Sequence, residues 1–224
     1  MTPFAVFDLD DTLVDYGGAI DAAFVALADE RGIGQEGLAF LRAEQERPGP
    51  PEESWQAIAE RFGFPESSAE LTLAFARRLP ALCRPHAGAI DGLRTLRAAG
   101  WRTALLTNGD ELDQRAKLGA GWDGLFDAYC FTNAEGVRKP DPVVFRLVAA
   151  RAGTDLEGAW MVGDSLEADI AGGAAVGMNT LWISGGRDLP DGGPVPDVTV
   201  TTIAKAFPVL LRVGQGSPSG SPVL

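Results

Sequence analysis

Five short apolar runs recur along the chain: FAVF (residues 4–7), RTALLT (102–107), DAYCFT (127–132), AWMVGD (159–164) and NTLWIS (179–184). Each has the length of a strand rather than a helix, and each is apolar enough to be buried on both faces of a sheet. Amphipathic segments of helical length lie among them. AIDGLRTLRAAG places Ile90, Leu93 and Leu96 three apart and stops at Gly100, and DPVVFRLVAARAG carries Pro142 near its start and Gly153 past its end. Strand and helix therefore alternate. That alternation predicts an α/β fold, a doubly wound, Rossmann-like parallel sheet with right-handed crossovers and helices on both faces, which binds ligands at the carboxyl ends of its strands.

One interval breaks the alternation. From Asp15 to His86 no strand pattern occurs. AIDAAFVALADERG sets Ile20, Ala23, Phe24, Leu27 and Ala28 on one face before Gly32, and a second helix is expected near Gly37–Arg47. A third carries Trp55, Ile58, Ala59 and Phe62, a stripe that reads as core rather than as a substrate wall. A fourth opens with Ser67 and Glu70 at capping-box spacing and continues through Leu71, Phe75 and Leu79. RPGPPEES (47–54) reads as a loop within this insertion, and Gly17 and Gly18 as a free turn leading into it. The expected organisation is a core of residues 1–14 and 87–212, a helical cap of residues 15–86, and a Gly/Ser/Pro-rich, disordered tail of residues 213–224.

Length and charge narrow the function. With 224 residues and a 46% apolar fraction the chain can bury a sizeable core. A net charge of −12 and the absence of a Lys/Arg run argue against nucleic-acid polymers and anionic membranes as partners. No run of about 18 apolar residues occurs, and MTPFAVFDLDD has acids where a signal peptide has its apolar region, so a cytoplasmic location is expected. Cys83 and Cys130 fit neither a disulfide framework nor a metal spacing and read as buried thiols.

Chemistry concentrates where the runs end. FAVF leads into Asp8, Asp10 and Asp11, three carboxylates within four residues. In extended backbone, side chains two apart point the same way, so Asp8 and Asp10 share a space and Asp11 faces elsewhere. Such a pair is costly without a cation, a shared proton or water between, and Mg2+, a hard ion that takes few protein oxygens and keeps waters, is the natural candidate. Other run ends supply complementary groups. Thr107 and Asn108 before Gly109 suit phosphate oxygens, Lys139 in VRKPDP precedes a helix start, and GDSLEAD brings Asp164, Glu167 and Asp169. Glu167 reads as a surface acid, and His86, the only histidine, as part of the connection between cap and core.

Together these motifs resemble the haloacid dehalogenase superfamily, in the branch of phosphatases of the phosphoglycolate phosphatase-like type with a helical cap after the first motif. DLDDT, LLTNG, RKPDP and GDSLEAD match its four motifs in order, and the likeness spans about Phe4 to Ser184. The resemblance implies Asp8 as the nucleophile that forms an aspartyl-phosphate, and Asp10 as general acid and then base. It implies Mg2+ on Asp8, Asp164 and the backbone carbonyl of Asp10. Thr107, Lys139 and the backbone N–H groups of Leu9 and Asn108 would hold phosphoryl oxygens, with Asp169 orienting Lys139 or a metal-bound water. An acid at position 10 favours phosphate-ester chemistry over dehalogenation, because halide leaves without a proton. The implied activity is hydrolysis of a small phosphorylated metabolite, whose leaving group, like the oligomeric state, is left open. A sugar-phosphate mutase and a non-catalytic binding protein on the same fold are the alternatives. Tyr16, Arg42 and Arg47 are the cap residues expected to contact the leaving group.

Overall fold

The computed structural model describes residues 2–214, and its contacts divide it into two compact units, Met1–Asp15 with Pro85–Leu224, and Tyr16–Arg84. In the first, β1 (Phe4–Phe7), β2 (Arg102–Thr107), β3 (Ala128–Phe131), β4 (Trp160–Gly163), β5 (Asn179–Ile183) and β6 (Val198–Val200) form one sheet in the order β3-β2-β1-β4-β5-β6. Every pairing is parallel; Ala5, for example, lies opposite Thr103 on β2 and Trp160 on β4. This is the doubly wound sheet expected from the alternating runs. The side chains of β1 divide between its faces. Phe4 and Val6 pack with Val144, Phe145 and Val148 of the helix Pro142–Arg151, and Ala5 and Phe7 pack with Leu93, Leu96, Phe207 and Leu210 on the other side.

The topology fixes where a site can form. From β1 the chain builds outward through β2 and β3, then returns to place β4 on the opposite side of β1. The carboxyl ends of β1 and β4 thus flank the reversal point, where the crossovers diverge and leave a crevice.

Two elements here go beyond the five anticipated runs. β6 is three residues long and only partly buried, too short for a periodicity to register. The helix Ile203–Gly214 buries Ile203, Ala206, Phe207 and Leu210 despite an internal Pro208. Phe207 lies 6.0 Å from Phe7 between ring centroids and fills the space over Gly92, where a Cβ would come within 2.0 Å of its ring. Val213 and Gly214, assigned to the tail from sequence, are the last turn of this helix, because its apolar face is held by the core; the rest of that segment, residues 215–224, lies outside the described residues.

The second unit consists of helices Tyr16–Arg31, Gly34–Gln45, Pro51–Phe62 and Ser68–Ala76 with a short turn, Leu79–Leu82. Phe24, Trp55 and Phe75 make its aromatic centre, with Phe24 stacked on Phe75 at 4.7 Å and Trp55 at 5.0 Å from Phe75. Ser67 and Glu70 form the expected capping box. Gly17 and Gly18 do not form a turn: they sit in the first helix with no left-handed φ, since Tyr16 already packs against the unit's core. The 47–54 loop is likewise shorter than expected, because Pro51 starts the third helix, a position that needs no N–H. Both cysteines are buried, and burial pushes the Cys130 thiol up to about 11. Among the described residues, no helix is long and apolar enough to cross a membrane.

Candidate active site

Asp8 follows β1 directly, and its backbone N–H donates to Val162 O at 2.9 Å, continuing the pairing with β4. The chain then tightens: Leu13 and Val14 both donate to Leu9 O, and Asp11 adopts a left-handed φ of 55° that turns it out to solvent. Beyond β4, Ser165 O accepts from both Asp169 N (3.0 Å) and Ile170 N (3.2 Å), opening the turn Leu166–Ala171 into π-helical form. Asp169 is thereby carried back toward the sheet. Its carboxylate occupies the place a side chain at Gly163 would need, since a Cβ there would lie 2.1 Å from Asp169 Oδ2.

Lys139 closes this arrangement from the opposite side. The residue is 3% exposed, and its ammonium donates to Asp8 Oδ1 at 2.6 Å and to Asp169 Oδ1 at 2.7 Å. Asp169 Oδ2 accepts from Ser165 N at 3.0 Å, so both of its oxygens are occupied. Asp164 is partly buried and paired with Arg187, whose Nη2 donates to Oδ2 at 3.2 Å and to the backbone carbonyl at 2.9 Å.

Asp8, Asp164 and Asp169 each bring a carboxylate oxygen within 4.8 Å of the others. At that separation, two unit charges repel by about 3–4 kcal/mol at an effective dielectric near 20. One buried ammonium does not balance three carboxylates. Burial, opposed by Lys139 and reinforced by Asp169 and Asp10, pushes the Asp8 carboxyl up to about 7. Burial and the Asp8 charge push Asp164 up to about 6 against the pull of Arg187. An excess of hard, buried oxygen donors fits a small divalent cation. With Asp169 committed to Lys139 and Ser165, Asp8 and Asp164 are the carboxylates able to hold it.

Thr107 ends β2 and is 1% exposed. Asn108 differs from its sequence reading: its side chain bridges loops, accepting from Lys139 N at 2.9 Å and donating to Lys139 O at 3.2 Å. Its amide thus positions Lys139, and its backbone N–H can still serve a phosphoryl oxygen. Leu9 is fully buried in the core, so its side chain contributes packing alone.

Asp10 has two partners that motif reading missed. Lys117 Nζ donates to both of its carboxylate oxygens at 2.7 Å, and Gln114 Nε2 donates to Oδ2 at 3.1 Å. The signal was a three-residue spacing on the helix after TNG, which places both side chains on one face. In the helical unit, Arg42 is matched by a two-pronged pair with Asp21 (2.6 and 2.9 Å) and Arg47 by Glu44 at 3.3 Å. Neither guanidinium is an uncompensated charge. Tyr16 is partly buried against that unit's core.

The family model of haloacid dehalogenase-like hydrolases matches residues 4–177. A phosphoserine phosphatase of Thermus thermophilus is 36% identical over 156 residues, 68% of this chain and 61% of that protein. A glyceraldehyde 3-phosphate phosphatase of Pyrococcus abyssi is 36% identical over 108 residues, 48% of this chain and 45% of that protein. The chain therefore spans about half to three fifths of the length of these two relatives. The crystal structure of a hydrolase of the same family from Deinococcus radiodurans R1, with bound phosphate and sodium, superimposes with a TM-score of 0.72 at 26% identity, covering 98% of this chain and 100% of that one.

Proposed function

Because the chain belongs to the haloacid dehalogenase-like hydrolase family, we propose that it is a phosphatase that hydrolyses a small phosphate monoester through an aspartyl-phosphate on Asp8. The observation that carries this reading is the placing of Asp8. It lies buried at the reversal point of the sheet, with Lys139 on one oxygen and Asp164 beside it, and Asp10 follows two residues later.

An Asp8 oxygen attacks phosphorus as the ester P–O bond breaks, and the proton the leaving alkoxide needs comes from Asp10. In the second half, a water gives its proton to Asp10 and attacks the phosphorus of the aspartyl-phosphate, releasing inorganic phosphate and restoring Asp8. Asp8, Asp164 and the Asp10 carbonyl would hold Mg2+, which would supply positive charge to offset repulsion between Asp8 and the phosphate dianion. Lys139 supplies a fixed positive charge beside the nucleophile, and the Thr107 hydroxyl with the Leu9 and Asn108 N–H groups donates to the phosphoryl oxygens as charge shifts among them. The relatives' names point to small phosphorylated compounds as the substrate class.

The test is phosphate release from a panel of small monoesters, with and without Mg2+, by wild type and Asp8→Asn. Metal-dependent release, lost by at least about 10³-fold in the variant, is expected. Isomerisation of a sugar phosphate without release would favour a mutase, and no turnover of either kind would favour a binding protein.

A further inference from the structure

Gln114 and Lys117 are left over once the motif residues are assigned. The helix Glu111–Ala116, with Lys117 at its end, starts directly after the loop that ends β2, and Asp110 caps it by accepting from Leu112 N at 2.8 Å. Gln114 is 3% exposed and the Lys117 side chain 6% exposed, so both polar groups were taken from water to be placed here. Burial of that kind is costly unless each group has a definite partner.

Their donors are turned to the reacting groups, while Gln114 Oε1 has no hydrogen-bond partner among the described residues. Lys117 Nζ spans both oxygens of Asp10 at 2.7 Å. Gln114 Nε2 lies 3.1 Å from Asp10 Oδ2, 3.1 Å from Thr107 Oγ1 and 3.0 Å from Asn108 O. Nε2 has two hydrogens to share among these three acceptors; where the Thr107 oxygen accepts one of them, its own hydrogen is left to point elsewhere, as a group that donates to a phosphoryl oxygen requires. The backbone makes room for this amide: a Cβ at Gly109 would lie 2.6 Å from Gln114 Nε2. Gly109, read from sequence as part of a phosphate loop, is therefore also the space that Gln114 fills.

We propose that Gln114 and Lys117 are positioning residues for Asp10: together they fix the plane and rotamer of its carboxyl so that one oxygen meets the leaving group, and Gln114 ties that pose to the Thr107 hydroxyl. The inference rests on the phosphatase reading above. It predicts a defect confined to steps in which Asp10 moves a proton. An ordinary alkyl ester needs a proton at its departing oxygen, whereas p-nitrophenolate leaves without one; water attack on the phosphorylated Asp8 needs Asp10 for both.

The experiment compares kcat/KM and kcat on an alkyl phosphate, glycerol phosphate, and on p-nitrophenyl phosphate, both with Mg2+, for wild type, Lys117→Met, Lys117→Arg and Gln114→Met. The value of kcat/KM reports the steps up to leaving-group departure. Lys117→Met is expected to lose about 10²-fold in kcat/KM on the alkyl ester and less than about threefold on the aryl ester, while kcat falls on both. Lys117→Arg is expected to recover most of the loss. Equal losses in kcat/KM on the two esters, or no loss on either, would overturn the inference and leave the phosphatase reading standing. Wild type inactive on both esters would remove the reading and the inference with it. Unfolding midpoints are read alongside; should Lys117→Met fail to fold, Gln114→Met decides by the same ratio of ester effects.

Discussion

The tightest constraint at the scale of single residues is Gly163. Its missing Cβ is the space in which the Asp169 carboxylate stands, and Asp169 in turn anchors Lys139 against Asp8. Gly163→Ala must push that carboxylate aside, so urea denaturation should show a loss of about 1–3 kcal/mol, the usual penalty of overpacking, together with most of the phosphatase activity. Asp127 makes a second local prediction away from the site. Partial burial acts to raise its carboxyl, but Arg97 at 2.6 Å and the Thr103 N–H at 2.9 Å outweigh it and hold the group below its usual value of 3.8. A carboxyl lowered in the folded state stabilises above its unfolded pKa and loses that contribution as pH falls through the folded one. Asp127→Asn should therefore cost about 1 kcal/mol in urea midpoints at pH 7 and progressively less below pH 4. The motif acids were legible because each closes an apolar run. The partners of Asp10 were not, since Gln114 and Lys117 lie more than 100 residues from it in sequence and their three-residue spacing marks a shared face without saying what it meets.

At the scale of elements, burial decides which segments could be read. β1, β2 and β4 are almost wholly buried, and their composition announces them. β6 pairs only with β5 at the sheet edge, and its three residues carry too little pattern. The helix Ile203–Gly214 was obscured differently: Pro208 argues locally against a helix, yet the core contacts of Phe207 and Leu210 override it. Phe207→Ala should consequently destabilise the protein by about 3–5 kcal/mol, since Gly92 beneath the ring has no side chain to fill the space. Thermal or chemical unfolding would check this, and a loss below about 1 kcal/mol would show that the helix is not part of the core. In the helical unit, the stripe of Trp55 is core as read from its spacing, packed on Phe24 and Phe75. The Arg42 guanidinium could not be placed from sequence, because Asp21 neutralises it from a separate helix, whereas Arg47 pairs with Glu44 three residues before it.

For the molecule as a whole, the parallel order of the strands turns separate motifs into one site. The reversal of the sheet about β1 sets the ends of β1 and β4 side by side, and the carboxylates gathered there carry more negative charge than Lys139 balances. A divalent cation should therefore stabilise the folded chain: at a Mg2+ concentration of about 100 Kd the gain is about 2.7 kcal/mol, which for a chain of this size raises Tm by about 5–10 °C. Asp164→Ala should abolish that shift, and chelation should remove both the shift and the activity. The central claim is that Asp8 carries the phosphoryl group, and the most direct measurement is acid-quench peptide mass spectrometry of Asp10→Asn turning over p-nitrophenyl phosphate with Mg2+. The leaving group there needs no proton while water attack lacks its base, so a phosphoryl group should accumulate on the peptide containing Asp8, and should be absent without metal or in the Asp8→Asn background. Turnover with Asp8 unmodified, or with the phosphoryl group on another residue, would contradict the account.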